Sequence, residues 1–228
     1  MDDRIDTYID WIKGSARPAN GLLVPVSGGS DSALAFWLCR QAYPDKTVGV
    51  HFGTDLRCRQ WFESVGEIRT LPQPRRKQDR DMQRWAKSLA VAMSERRWLV
   101  GTLNRTEDAL GTFSQASRLA TYLPLAGLWK SEVMELCQLI GVPAAVLESS
   151  RRADPDCGRP QELAEIPLEL IDLFLRVKES ELSAEALAAL NEAQLAYLQG
   201  LYQRNRFKQR LPTRSPVLTA PLSVQTAP

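Results

Sequence analysis

The chain has 228 residues, 44% apolar and 25% charged, which suits one large globular domain or one domain with a helical appendage. Its 29 basic and 27 acidic residues leave a net charge of +2, which by itself argues neither for nor against nucleic acid, although nucleic acid is not an expected partner, and no apolar run approaches membrane-spanning length. A lone histidine, His51, excludes a multi-histidine metal site and leaves little room for a Ser-His-Asp hydrolase. The N-terminus, MDDRIDTYIDWIKG, has no apolar signal core, so the expected compartment is the cytoplasm.

Ile5, Tyr8, Ile9 and Ile12 fall on one face at helical spacing, which predicts an amphipathic helix over 2–13 ended by Gly14. Leu22 to Val26 is a short apolar run that predicts a buried strand. The turn Ser27-Gly28-Gly29-Ser30-Asp31-Ser32 follows at once, and an apolar helix runs on from residue 30 to 42. A glycine-rich turn between strand and helix gathers backbone N–H groups at an electropositive helix end, where an anion can approach closely. The serines add hydroxyl donors and Asp31 a carboxylate suited to Mg²⁺. The bland alternative is an ordinary turn with a Ser/Asp cap. Neither GxGxxG nor GxxxxGK[ST] is present, but SGGxDS after a strand resembles the pyrophosphate-binding loop of the N-type ATP pyrophosphatases.

Thr47 to Phe52 predicts a second strand, with His51 near its C-terminal end as either a buried, satisfied imidazole or a ligand contact. Glu67 to Leu71 reads as a third strand. Arg75 to Arg97 carries six arginines and two lysines around Met82, Trp85, Leu89 and Met93 at helical spacing. That segment is either a solvated basic face or the source of an arginine for a substrate anion. Trp98 to Thr102 predicts a strand, Asn104 begins a helix, and 122–128 reads as an extended segment. Helices are predicted over 130–140, 167–178 and 183–204, the last Ala/Leu-rich and a candidate dimer face, with a polar loop after Ser149. The expected architecture is α/β: a doubly wound, mostly parallel sheet with C-terminal helices. It forms a single domain over 1–212 and a flexible tail over 213–228. Cys39, Cys58, Cys137 and Cys157 show no CxxC spacing and read as free thiols.

Over 101–141 the likeness narrows. GTLNRTEDALG, then LPLAGLWKSEV and LIGVP, resemble in order and spacing the ammonia-dependent NAD synthetases, which have the Rossmann-like fold of the adenine nucleotide alpha hydrolases. The resemblance implies ATP and Mg²⁺. By that likeness Ser27, Gly28, Gly29, Ser30, Asp31, Ser32, Thr102 and Lys130 would contact ATP. Asp31 and Glu107 would hold Mg²⁺, and Asp31, Glu107 and Lys130 would form the catalytic set. It also implies a carboxylate substrate such as deamido-NAD, ammonia as second reactant, and a homodimer. The synthetase-like region takes up the whole length, so no glutaminase domain is expected and ammonia would be free or come from a separate glutaminase.

The substrate side departs from the family pattern. In Arg76-Lys77-Gln78-Asp79-Arg80 only Arg80 matches the family's N-x-x-A-R-x-R arginines, and Phe113 to Arg118 lacks the lysine and aspartate of F-T-K-x-G-D. Arg151-Arg152-Ala153 replaces P-[ST]-A, the acidic pair expected near Gly158 is absent, and Phe207 to Pro212 keeps only Lys208 and Pro212 of H-K-R-x-x-P. Arg80 and Lys208 are the candidate substrate contacts. The reading is therefore an ATP-dependent amide ligase acting on deamido-NAD or on another carboxylate. The alternatives are sulfur transfer through Cys157 or Cys58 and a non-catalytic nucleotide-binding relative.

Overall fold

Leu22, Leu23 and Val24 are fully buried, as a strand covered on both faces must be. The computed structural model describes residues 3–16, 20–76, 78–151 and 160–210. Among these, β1 Leu22–Pro25, β2 Thr47–Phe52, β3 Ile68–Leu71 and β4 Trp98–Leu99 form a parallel sheet in the order β3-β2-β1-β4. The helices are α1 Asp3–Ser15, α2 Ser30–Ala42, α3 Arg59–Val65, α4 Arg80–Ser94, α5 Arg105–Leu110, α6 Lys130–Leu139, α7 Ala144–Arg151, α8 Gln161–Ala164, α9 Leu168–Lys178 and α10 Glu192–Asn205.

Strand alternation divides the packing. Leu22, Val24 and Val26 meet α1, α2 and α6 on one face, while Leu23 and Leu99 meet Trp85, Leu89 and Ala92 of α4 on the other. Helices thus cover both faces, as the doubly wound reading expects. Trp129, Ile171, Phe174, Leu198 and Leu201 build a separate core among the C-terminal helices. The chain runs outward from β1 to β3 and then returns to place β4 on the other side of β1. The loops after β1 and β4 therefore part at a topological switch point, where open α/β sheets bind ligands.

Several elements differ from the sequence expectations. The fourth strand stops at Leu99; Val100 still donates its N–H to the Leu23 carbonyl at 2.9 Å, but beyond that makes an isolated bridge with Tyr122. Residues 124–127 form turns rather than extended chain. The first helix continues through Gly14 to Ser15. Along α4, Trp85 and Leu89 pack inward, but Met82 and Met93 at the ends of the stripe are exposed. The expected helix over 183–204 is broken. A 3₁₀ turn spans Ala184–Ala189, Leu190 is extended, and Asn191 opens α10 by accepting the Gln194 N–H at 2.9 Å. The Gln194 side chain returns to the Asn191 N–H at 3.2 Å, completing a capping box.

Gly21 sets the entry to β1. Its φ is +119°, and a Cβ there would stand 1.8 Å from the Lys46 carbonyl oxygen. That oxygen already accepts from Leu22 N at 2.7 Å and Arg97 Nη1 at 2.9 Å. Gly21→Ala is expected to destabilise the fold by about 3 kcal/mol or more, combining backbone strain with a rigid clash. Urea unfolding measures it, and a loss below about 1 kcal/mol would contradict the packing of β1 against β2 described here.

Candidate active site

The turn after β1 adopts the conformation its sequence requires. Gly28 takes φ +88°, a region open to glycine, and Gly29 is extended just ahead of α2. Serine hydroxyls meet the turn's amides. Ser27 N–H donates to Ser32 Oγ at 3.2 Å, Gly29 N–H to Ser27 Oγ at 3.3 Å, and Ser30 N–H to Ser150 Oγ at 3.0 Å. Ser32 Oγ in turn donates to the Gly29 carbonyl at 2.9 Å.

Lys130, the first residue of α6, reaches into this turn. Its Nζ donates to Ser30 Oγ at 2.9 Å and forms an ion pair with Asp31 Oδ2. The other carboxylate oxygen, Oδ1, accepts from Asn104 Nδ2 at 2.9 Å. Asn104 is fully buried and caps α5, its Oδ1 accepting the Glu107 N–H at 2.9 Å. One amide side chain thus ties the Asp31 carboxylate to the helix that carries Glu107.

The structure therefore brings Ser30, Asp31 and Lys130 into direct contact and joins the Glu107 backbone to them through Asn104. Thr102 sits in the loop after β4, at the switch point. Arg80 begins α4 at the same carboxyl edge of the sheet. Lys208 is engaged elsewhere, donating to the carbonyls of Gly111 at 2.8 Å and Phe113 at 3.0 Å, and its burial lowers its pKa. Of the arginines around α4, Arg84 bonds Gln73 and Arg97 bonds Glu95. His51 is buried and donates from Nδ1 to the Val26 carbonyl at 2.7 Å, bracing the strand end just ahead of the turn. Arg152, Ala153, Cys157, Gly158, Pro212 and the tail over 213–228 lie outside the described residues.

Four participants escaped the sequence reading. Asn104 stands within GTLNRTE, where its position signals only a helix start. Thr106, Ser150 and Asp172 carried no local signal. Asp172 is buried on α9. Burial raises its pKa, opposed by hydrogen bonds from Ser131 and Thr106 and by the charge of Arg176.

The cysteines bear on group transfer. Burial pushes the Cys39 thiol up and the Cys137 thiol to about 12, while Cys58 is half-buried. In the native protein at neutral pH, a thiol reagent should modify Cys58 and leave Cys39 and Cys137 untouched until unfolding. Mass spectrometry of native and denatured samples checks this. Rapid native labelling of Cys137 would show that the contact from its thiol to the Ser30 carbonyl, at 3.4 Å, is readily opened.

A parallel sheet with a glycine-serine turn, an aspartate and a lysine at its switch point defines an α/β nucleotide-binding protein. The family model described as NAD synthase matches residues 77–212, and the chain belongs to that family. It is 28% identical over 212 residues to the NH₃-dependent NAD⁺ synthetase of Mycoplasmopsis pulmonis, covering 78% of this chain and 80% of that one. It is 27% identical over 228 residues to the enzyme of the same name from Thermococcus kodakarensis, covering 85% and 88%. Among solved structures, the NH₃-dependent NAD synthetase of Campylobacter jejuni superposes with a TM-score of 0.75 at 18% identity, covering 95% of this chain and 100% of that one. An NMN synthetase from Francisella tularensis superposes at 0.70 with 20% identity, covering 95% and 98%. These two likenesses establish the fold, that of the adenine nucleotide alpha hydrolases.

Proposed function

We propose that the chain is an ATP-dependent amide ligase, converting a carboxylate, deamido-NAD in the first instance, to its amide with ammonia and releasing AMP and pyrophosphate. The observation that carries this reading is the Lys130 ammonium held on Ser30 and Asp31 of the glycine-serine turn, in a member of the NAD synthase family. In this scheme the substrate carboxylate attacks the α-phosphorus of ATP, pyrophosphate departs, and ammonia displaces AMP from the acyl-adenylate.

The amides and hydroxyls of 27–32, with Thr102, hold ATP. Lys130 follows the phosphate charge as it builds on the leaving pyrophosphate, where a fixed cation in a dry site acts strongly. Asp31 and Glu107 would hold Mg²⁺. Asp31 already keeps a cation against its carboxylate, and Mg²⁺ takes one or two carboxylates together with substrate phosphates rather than an all-protein cage. When bound, it supplies further neutralisation of the departing charge. Arg80 would meet the second substrate, whereas Lys208, held on the Gly111 and Phe113 carbonyls, would have to release them to do so. No protein nucleophile is needed. The working unit is a cytoplasmic homodimer, with ammonia free or delivered by a separate glutaminase. No described helix is long and apolar enough to cross a membrane.

The test is pyrophosphate release from ATP, Mg²⁺ and ammonium, with and without deamido-NAD, beside Asp31→Ala. Release that needs deamido-NAD, yields NAD and disappears in Asp31→Ala is the expected result. Tight ATP binding with release only on another carboxylate, such as the precursor of NMN, would move the substrate and keep the chemistry. Binding without release on any carboxylate would overturn the ligase reading.

A further inference from the structure

Lys130 is held at two ends. Its ammonium meets Ser30 and Asp31, and its backbone N–H donates to Thr106 Oγ1 at 2.7 Å. Because the threonine oxygen receives that proton, its own proton points elsewhere, to Asp172 Oδ1 at 2.5 Å. The second oxygen of Asp172 accepts the N–H of Ser131 at 2.7 Å. Thr106 and Asp172 are both buried, so the chain of bonds runs away from solvent. A single carboxylate on α9 thus binds the first turn of α6 and, through Thr106, the start of α5. These two helices carry Lys130 and Glu107.

We propose that Asp172, acting through Thr106, is a positioning residue that fixes the register of Lys130 toward the nucleotide phosphates. The inference rests on the reading of Lys130 as a phosphate-facing cation. A lysine side chain is long and rotamer-rich, so where its ammonium stands depends on where its backbone is pinned. The carboxylate lies at the electropositive end of α6, which it holds directly through the Ser131 N–H and indirectly through Thr106. A shift of about 1 Å in a reacting group can cost about 10²-fold in rate. The two bonds to Asp172 are therefore wired to catalysis as well as to packing.

Pulse acetylation of the full-length chain, read by mass spectrometry with exposed Lys13 as internal reference, reports the Lys130 ammonium without any substrate. Thr106→Val should speed Lys130 labelling about tenfold relative to Lys13, whereas Thr106→Ser, which keeps the hydroxyl, retains the protection. Asp172→Asn should raise Lys130 labelling less than Thr106→Val does, since its amide oxygen can still accept from Ser131 while its nitrogen donates to the remaining lone pair of Thr106. In the pyrophosphate-release assay Thr106→Val should lower kcat by about 10- to 10²-fold with KM for ATP little changed, and lower nothing further in a Lys130→Met background. Unchanged labelling, or the same factor lost again on the Lys130→Met background, overturns the positioning role. Full activity in Thr106→Val with loss in Lys130→Met overturns it alone, whereas full activity in Lys130→Met overturns the reading of Lys130 on which it rests.

Discussion

Lys130→Met is expected to lower the rate of pyrophosphate release by about 10²- to 10³-fold, the usual consequence of removing one preorganised charge aimed at a developing anion. Methionine keeps much of the side-chain volume within the buried environment of Lys130, so packing changes little while the charge goes. The loss should fall on kcat, because a cation that follows leaving-group charge acts more strongly in the transition state than on bound ATP. Steady-state rates at varied Mg-ATP measure this. A rise in KM alone would assign Lys130 to uniform binding of the nucleotide. The change also leaves Asp31 with Asn104 but without its cation, and the side chain of Asp31 is only 17% exposed. Melting curves of the variant should accompany the kinetics, since uncompensated charge in such a site is costly.

The largest stability effect is expected one residue earlier. Trp129 is 1% exposed, and its ring meets the guanidinium of Arg105 at 4.1 Å and that of Arg176 at 5.3 Å. Arg105 pairs with Glu179 and Glu181, while Arg176 bonds Glu132 at 2.8 Å and Glu181 at 3.3 Å. Trp129→Ala should therefore destabilise by about 3–5 kcal/mol, through the cavity and the loss of both cation–π contacts. Trp129→Phe should cost far less, because the buried indole Nε1 makes no hydrogen bond that phenylalanine would forfeit. Urea unfolding of the two variants separates the effects. Equal losses would mean that ring size, rather than cavity formation, governs this core.

The parts of this fold legible in the sequence are those fixed by local periodicity. The run at Thr47–Phe52 is buried throughout, and the pattern over 30–42 coincides with α2 because its apolar residues repeat at helical spacing beside a glycine turn. Local pattern misled where long-range geometry intervenes. The strand expected to reach Thr102 ends early because Gly101 N–H turns to Tyr122 O at 2.8 Å instead of continuing the pairing with β1. The single helix expected over 183–204 divides because Asn191 and Gln194 cap a new start, a signal present in the sequence but masked by alanine and leucine. In the site, Asp31, Glu107 and Lys130 stood in motifs. Asp172 looked like one polar residue of the amphipathic segment LELIDLFLRVK, and only the approach of α9 to α5 and α6 gives it its partners. Ser150 is equally silent, lying 120 residues from the amide it meets.

The serine hydroxyls bonded to the amides of the turn give it a preference for charge over shape. An incoming oxygen that takes the N–H of Ser30 must exchange with the hydroxyl of Ser150, and one that takes the N–H of Gly29 must exchange with that of Ser27. Swapping one neutral acceptor for another returns almost nothing, whereas an anionic oxygen gains about 1 kcal/mol per amide from the stronger, charge-assisted bond. Under the proposed function, sugars and alcohols should therefore pass the turn by and phosphates be retained. The same exchange would detach Ser150 from the turn, so that the arrival of phosphate would be registered at the end of α7.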